Sequence, residues 1–154
     1  MITDTTVSSE KVIINAPVTL VWSILVDFEN YEKWNPFCPS IKTRLEPGAP
    51  VEMHCDLGHG LQKQVEFMTQ IEPEKVLAWG MKNEPGDPVK AIRYQYLEAL
   101  GDTQCSYYTI DEFEGDQIAG MLKNFGRNIE NGFNACALGL KAIAEERFSQ
   151  LAKT

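Results

Sequence analysis

Residues 118–152 read I-A-G-M-L-K-N-F-G-R-N-I-E-N-G-F-N-A-C-A-L-G-L-K-A-I-A-E-E-R-F-S-Q-L-A, and the apolar set Ile118, Leu122, Phe125, Ile129, Phe133, Cys136, Leu140, Ile143, Phe148 and Leu151 recurs mostly at steps of three or four. That period places one apolar stripe along an α-helix, with Lys123, Arg127, Glu130, Lys141 and Glu145 on the solvent side. At ~1.5 Å per residue the helix is ~50 Å long, longer than a surface helix of one small domain needs, so it is expected to cross the concave face of a sheet. Gly120, Gly126, Gly132 and Gly139 lie within it, each costing ~1 kcal/mol relative to alanine. Close packing on the sheet or a kink is one compensation, and fits Gly139 best. The other is that Gly126 and Gly132, which flank Phe125, Ile129 and Phe133, thin the helix where a ligand must fit.

The chain upstream supplies the sheet. Ser8–Asn15 reads as a short strand stopped by Ala16-Pro17, and Val21, Trp22, Leu25 and Val26 then recur at helical spacing. Asp27 can open a second short helix whose apolar side continues through Tyr31 and Trp34, and Pro36 and Pro39 force extended chain after it. Six strand-like segments follow at 41–45, 51–57, 64–71, 76–81, 92–100 and 104–113, separated by turns rich in Gly, Pro and Asp. The expectation is one α+β domain over residues 1–154, with two short helices after strand one, a seven-stranded antiparallel sheet and the long helix packed across it. Trp34 is expected to be structural, filling the space between the short helices and the sheet.

Composition narrows the function classes. A chain of 154 residues is one ordinary domain. Its net charge of −8, with no basic run, disfavours nucleic acid and anionic membranes as partners. No stretch approaches the ~20 apolar residues that span a bilayer, and the polar start Met1-Ile2-Thr3-Asp4-Thr5-Thr6 is not that of a secretory leader, so a cytoplasmic location is expected. Cys38, Cys55, Cys105 and Cys136 form no C-x-x-C pair and read as reduced core residues. His54, Cys55, Asp56 and His59 come close to a metal set in sequence, but alternation turns His54 and Asp56 away from Cys55. No metal is expected.

Four stretches carry a resemblance: I-I-N-A-P-V-T-L-V-W at 13–22, Y-E-K-W-N-P-F at 31–37, G-D-T-Q-C-S-Y-Y-T-I-D-E-F-E-G at 101–115 and G-F-N-A-C-A-L-G-L-K at 132–141. Together with the element order, they resemble the START/birch-pollen-allergen-like (SRPBCC) superfamily and, within it, the bacterial polyketide cyclase/dehydrase and lipid-transport family. The resemblance covers nearly the whole chain. It implies the helix-grip fold, a ligand held between the long helix and the inner face of the sheet, and no metal or organic cofactor. It leaves chemistry open, because the fold hosts cyclases, dehydratases and carriers alike.

Alternation then selects inward residues: Val51, Met53, Cys55 and Leu57; Val65, Phe67 and Ile71; Leu77, Trp79 and Met81. In the last two strands both parities are mixed, and the resemblance places Arg93, Gln95 and Leu97, then Cys105, Tyr107, Thr109, Asp111 and Phe113, on the inside. The expected site is a closed cavity walled by Met53, Phe67, Trp79, Gln95, Thr109, Phe113, Leu122, Phe125 and Ile129, with Tyr31 and Phe37 near its mouth. A buried Asp111 either pairs with Arg93 or is held protonated. Two function classes remain: a monomeric or homodimeric binder of a small hydrophobic molecule, aromatic, polyketide-like or lipid, or a polyketide cyclase/dehydratase with Asp111, Tyr107 and Arg93 as its acid/base and orienting groups. A packed core without a cavity also satisfies the apolar pattern.

Overall fold

The computed structural model describes residues 1–153. Strands β1 (Thr6–Ser8) and β2 (Val12–Ile14) precede helix α1 (Val18–Leu25) and a 3₁₀ helix (Phe28–Lys33). Then come β3 (Ser40–Lys42), β4 (Pro50–Asp56), β5 (Leu61–Glu72), β6 (Val76–Gly80), β7 (Lys90–Gly101), β8 (Gln104–Glu114) and helix α2 (Ile118–Leu151). All strands form one antiparallel sheet in the order β1-β8-β7-β6-β5-β4-β3, with β2 also paired to β8. The α+β helix-grip architecture implied by the resemblance is therefore present, and the long helix expected from the apolar stripe, α2, is unbroken. No helix of the described residues is long and apolar enough to cross a membrane.

Two strands depart from simple alternation, each for an identifiable reason. The expected first strand is split into β1 and β2 because Ser9 brackets Thr109. Its N–H donates to the Thr109 carbonyl at 2.9 Å and its hydroxyl accepts from the Thr109 N–H at 3.0 Å. The detour moves the buried positions from Val7 to Ile14, an odd-to-even change. In β5 the register slips between Met68 and Gln70. Ile71 pairs with inward Leu77, but before the bulge Glu66 and Gln64 pair with inward Val51 and Met53. Phe67 and Val65 consequently lie on the outer face, contrary to the alternation counted back from Ile71.

The helix glycines serve close packing. A Cβ at Gly139 would stand 2.0 Å from the Trp34 carbonyl oxygen, and one at Gly132 only 2.2 Å from the Phe37 ring. Both therefore let the 34–37 segment lie directly on α2, with Phe37 edge-on to Phe133 at 5.4 Å. A Cβ at Gly126 would meet Ile2 at 3.6 Å, so this glycine faces the N-terminal segment and not the cavity. Trp34 is buried and stacks edge-on against Tyr31 at 4.9 Å, a structural placement between the short helices and α2. Gly139→Ala is predicted to destabilise by ~1–3 kcal/mol or more, as overpacking against backbone outweighs the helix-propensity gain. Gly120→Ala, with open space around it, is predicted to stabilise by ~0.5–1 kcal/mol. Denaturant unfolding of the two variants checks both signs, and equal stability of Gly139→Ala and the parent would contradict the close approach.

Candidate functional site

The inner faces of β4 to β8 and the first half of α2 enclose a cavity of about 270 Å³. Its apolar walls are Phe37, Met53, Cys55, Leu57, Trp79, Met81, Val89, Ala91, Phe113, Met121, Phe125, Ile129 and Phe133, and its polar groups are Gln64, Glu66, Arg93 and Asp111. One end is open rather than closed: Met81 is 40% exposed there, and Leu57, Val89, Met121 and Phe125 are half-buried. His59, in the β4–β5 hairpin, meets Phe125 edge-on at 6.2 Å, so the hairpin forms part of the rim.

Arg93 marks the inner end. Only 5% exposed, it donates from Nε to the Thr109 hydroxyl at 2.9 Å and from Nη2 to Cys136 Sγ at 3.6 Å. Its guanidinium lies 4.4 Å from the Phe133 ring centroid, 5.5 Å from that of Phe37 and 5.7 Å from that of Trp79. Thr109 in turn donates to the Tyr94 carbonyl at 2.9 Å. The side chain is thus fixed by hydrogen bonds and aromatic faces from β8, α2, β6 and the 34–37 segment.

Asp111 sits directly across from Arg93 in the β7–β8 ladder, yet the two form no ion pair. Arg93 points instead to Thr109, two residues along β8. Among the described residues neither Asp111 nor Glu66 has a hydrogen-bond or ion-pair partner. Burial pushes the Asp111 carboxyl up to about 6, with Arg93 opposing. Burial, reinforced by the nearby Asp111, pushes Glu66 up to about 8, again with Arg93 opposing. Close to neutrality the first is mainly ionised and the second mainly protonated.

Of the residues selected from sequence, the cavity brings together Phe37, Met53, Trp79, Arg93, Asp111, Phe113, Phe125 and Ile129. Six others lie elsewhere. Phe67 is on the outer face. Leu122 lies against the Ile2–Gly126 contact, and it is Met121 that turns to the cavity. Tyr31 is buried in the core with its hydroxyl donating to the Leu25 carbonyl, and Phe37 stands at the inner end, so neither forms the mouth. Tyr107, Gln95 and Thr109 line the next rows of the sheet, past Arg93. There the Tyr107 hydroxyl donates to Gln95 Oε1 at 2.8 Å and meets Cys136 Sγ at 3.8 Å. Burial drives the Tyr107 phenol far up, which keeps it neutral. Tyr107 is therefore a core residue and not a cavity acid. Glu66 was missed because the bulge hides its parity.

Residues 5–144 match the sequence profile of the family described as polyketide cyclase/dehydrase and lipid transport. The chain belongs to this family. Among solved structures it is similar to the Zhui aromatase/cyclase from Streptomyces sp. R1128, with 18% identity over 92% of this chain and 94% of that one and a TM-score of 0.72. A START superfamily protein from Mycobacterium smegmatis matches with 16% identity, 96% and 99% coverage and a TM-score of 0.63. The di-domain ARO/CYC protein StfQ of the steffimycin biosynthetic pathway matches at 12% identity and a TM-score of 0.67, over 94% of this chain and 52% of that one. At these identities the likeness is one of fold. No curated protein sequence matches the chain.

The raised carboxyl of Glu66 makes a stability prediction with a definite sign. Its folded value lies above the unfolded 4.5, so the unfolded chain ionises first and folding loses stability as pH rises from about 4.5 to about 8. Glu66→Gln removes that loss. Thermal melts are expected to show Glu66→Gln and the parent matched at pH 4.5, and the variant several degrees more stable at pH 8.5. A constant difference across the range would place Glu66 in water.

Proposed function

We propose that this chain binds a small, mainly apolar molecule in the cavity between the sheet and α2. The observation that carries the reading is a cavity of about 270 Å³ in which apolar and aromatic walls surround a few convergent polar groups, the usual make-up of a small-molecule site. A small aromatic compound suits a cavity of this size, and a longer ligand has to extend through the open end past Met81. Membership in a polyketide cyclase/dehydrase and lipid-transport family supports the class of ligand.

A second reading has its own observation, namely two carboxyls on one cavity whose ionisation is driven apart, to about 6 and about 8. Such a pair is an acid and a base at the same pH. In a dehydration of a β-hydroxy ketone, Asp111 takes the proton α to the carbonyl, the C–O bond to the β-hydroxyl breaks, and Glu66 gives its proton to the departing oxygen as water. The fixed charge of Arg93 stabilises the enolate formed between those steps. In this reading Tyr107 has no direct role.

The two readings separate on substitution. Ala91→Leu projects a larger side chain from β7 into the cavity and is predicted to weaken 2-naphthol binding at least tenfold, followed through the fluorescence of the wall residue Trp79, with little loss of melting temperature. Asp111→Asn keeps the shape. A carrier retains 2-naphthol within threefold in this variant, whereas a dehydratase loses ~10²–10⁴ in kcat on a β-hydroxy ketone. If the parent shows no saturable 2-naphthol binding, or Ala91→Leu binds it as the parent does, the cavity is not the ligand site.

A further inference from the structure

The carboxyls of Glu66 and Asp111 face the same apolar space, and among the described residues no donor serves them. Among the same residues Arg93 is the cation that acts on both, and it is engaged elsewhere: it gives Nε to Thr109 and Nη2 to Cys136, and its face lies on Phe133. From α2 the side chains turned to the cavity are Met121, Phe125, Ile129 and Phe133, none of which carries a charge or a donor. Near neutrality Asp111 is an ionised acceptor and Glu66 still holds its proton, and a cationic donor in the cavity satisfies both once that proton leaves. We propose that the ligand of this cavity carries a protonated amine on a small aromatic body, with the ammonium held between Glu66 and Asp111.

This rests on the reading of the cavity as a ligand site and adds the charge of its occupant. A neutral hydroxyl offers one donor and leaves the ionised Asp111 without charge compensation. An ammonium offers three donors and the missing positive charge. The aromatic walls contribute in the same direction, since the faces of Trp79 and Phe125 attract a cation. An anion meets the ionised Asp111, which opposes it, and the two N–H groups that Arg93 gives to Thr109 and Cys136 are not free for it. The net charge of −8 also draws cations toward the open end of the cavity.

Proton linkage gives the proposal a signature. The groups acting on Glu66 are Asp111 from β8, Arg93 from β7 and the Cys38 thiol of the segment before β3, and Cys55 of β4, which also lines the cavity, is kept a neutral thiol by its hydrogen bond to Cys38 and by burial. The group acting on Asp111 is Arg93. An ammonium between the carboxyls favours their ionised forms, so it displaces the proton of Glu66, and its affinity rises with pH until Glu66 is ionised.

The test is a calorimetric titration of the intact protein with three probes of near-equal size: 2-phenylethylamine, 2-phenylethanol and phenylacetate. The amine is expected to bind at least tenfold more tightly than the alcohol at pH 7.5, with proton release, and to weaken at least fivefold at pH 5.5 while the alcohol does not change. Glu66→Gln and Asp111→Asn are each expected to weaken the amine at least fivefold and to leave the alcohol within twofold. If the alcohol binds as tightly as the amine, or phenylacetate binds best, the occupant is neutral or anionic and the amine inference is overturned, with the cavity reading intact. If none of the three binds and 2-naphthol also fails, both are overturned.

Discussion

The interior is organised by one buried cation. Arg93 leaves β7 at the middle of the sheet and is fixed by Thr109 of β8, Cys136 and Phe133 of α2, Trp79 of β6 and Phe37 of the segment before β3. A guanidinium without water is expensive, and here the cost is offset by two hydrogen bonds and three aromatic faces. The contacts join β6, β8, the 34–37 segment and α2, and they require the helix and the 34–37 segment to be in close contact. Gly132 and Gly139 provide that closeness, since a Cβ at either would collide with Phe37 or with the Trp34 carbonyl.

Fixing Arg93 in this way separates two kinds of polar chemistry. On the inner side the Tyr107 hydroxyl donates to Gln95 and meets Cys136, and Thr109 donates to the Tyr94 carbonyl, while among the described residues the buried Gln95 side-chain nitrogen has no partner. On the outer side, Asp111 and Glu66 are left without partners at the edge of an apolar space. Had Arg93 turned to its cross-strand neighbour Asp111, the cavity would hold a neutral pair and little reason to recognise anything but shape. Because it turns to Thr109, the cavity presents two unpaired carboxyls that keep their protons to higher pH than usual, and this is what makes either selective binding or proton transfer possible. The fold by itself distinguishes neither, as its use by an aromatase/cyclase and by a START superfamily protein illustrates.

Much of this was legible in the sequence where period and physics coincide. The stripe from Ile118 to Leu151 is α2, and Met53, Trp79 and Phe113 face inward as alternation and the family resemblance imply. The losses have local causes. A single extra residue at Thr69 reverses the parity of β5, which exchanged Phe67 for Glu66 and hid half of the carboxyl pair. Ser9 splits the first strand through a side-chain hydrogen bond that no periodicity encodes. Tyr31 and Tyr107 carry polar tips that look functional in sequence, yet each finds its partner inside the core. The mutual arrangement of Arg93 and Asp111 depends on a rotamer, and rotamers leave no mark on hydrophobic pattern.

The account stands on the two carboxyls being held without partners beside a committed arginine. Carbon-13 NMR titration of side-chain carboxyls in Asp- and Glu-labelled protein, assigned with Asp111→Asn and Glu66→Gln, measures this directly. The account predicts one glutamate titrating near 8 and one aspartate near 6, well separated from the remaining carboxyls. Both resonances titrating with the bulk near 4 would mean that the carboxyls are hydrated or paired with Arg93, and would contradict it.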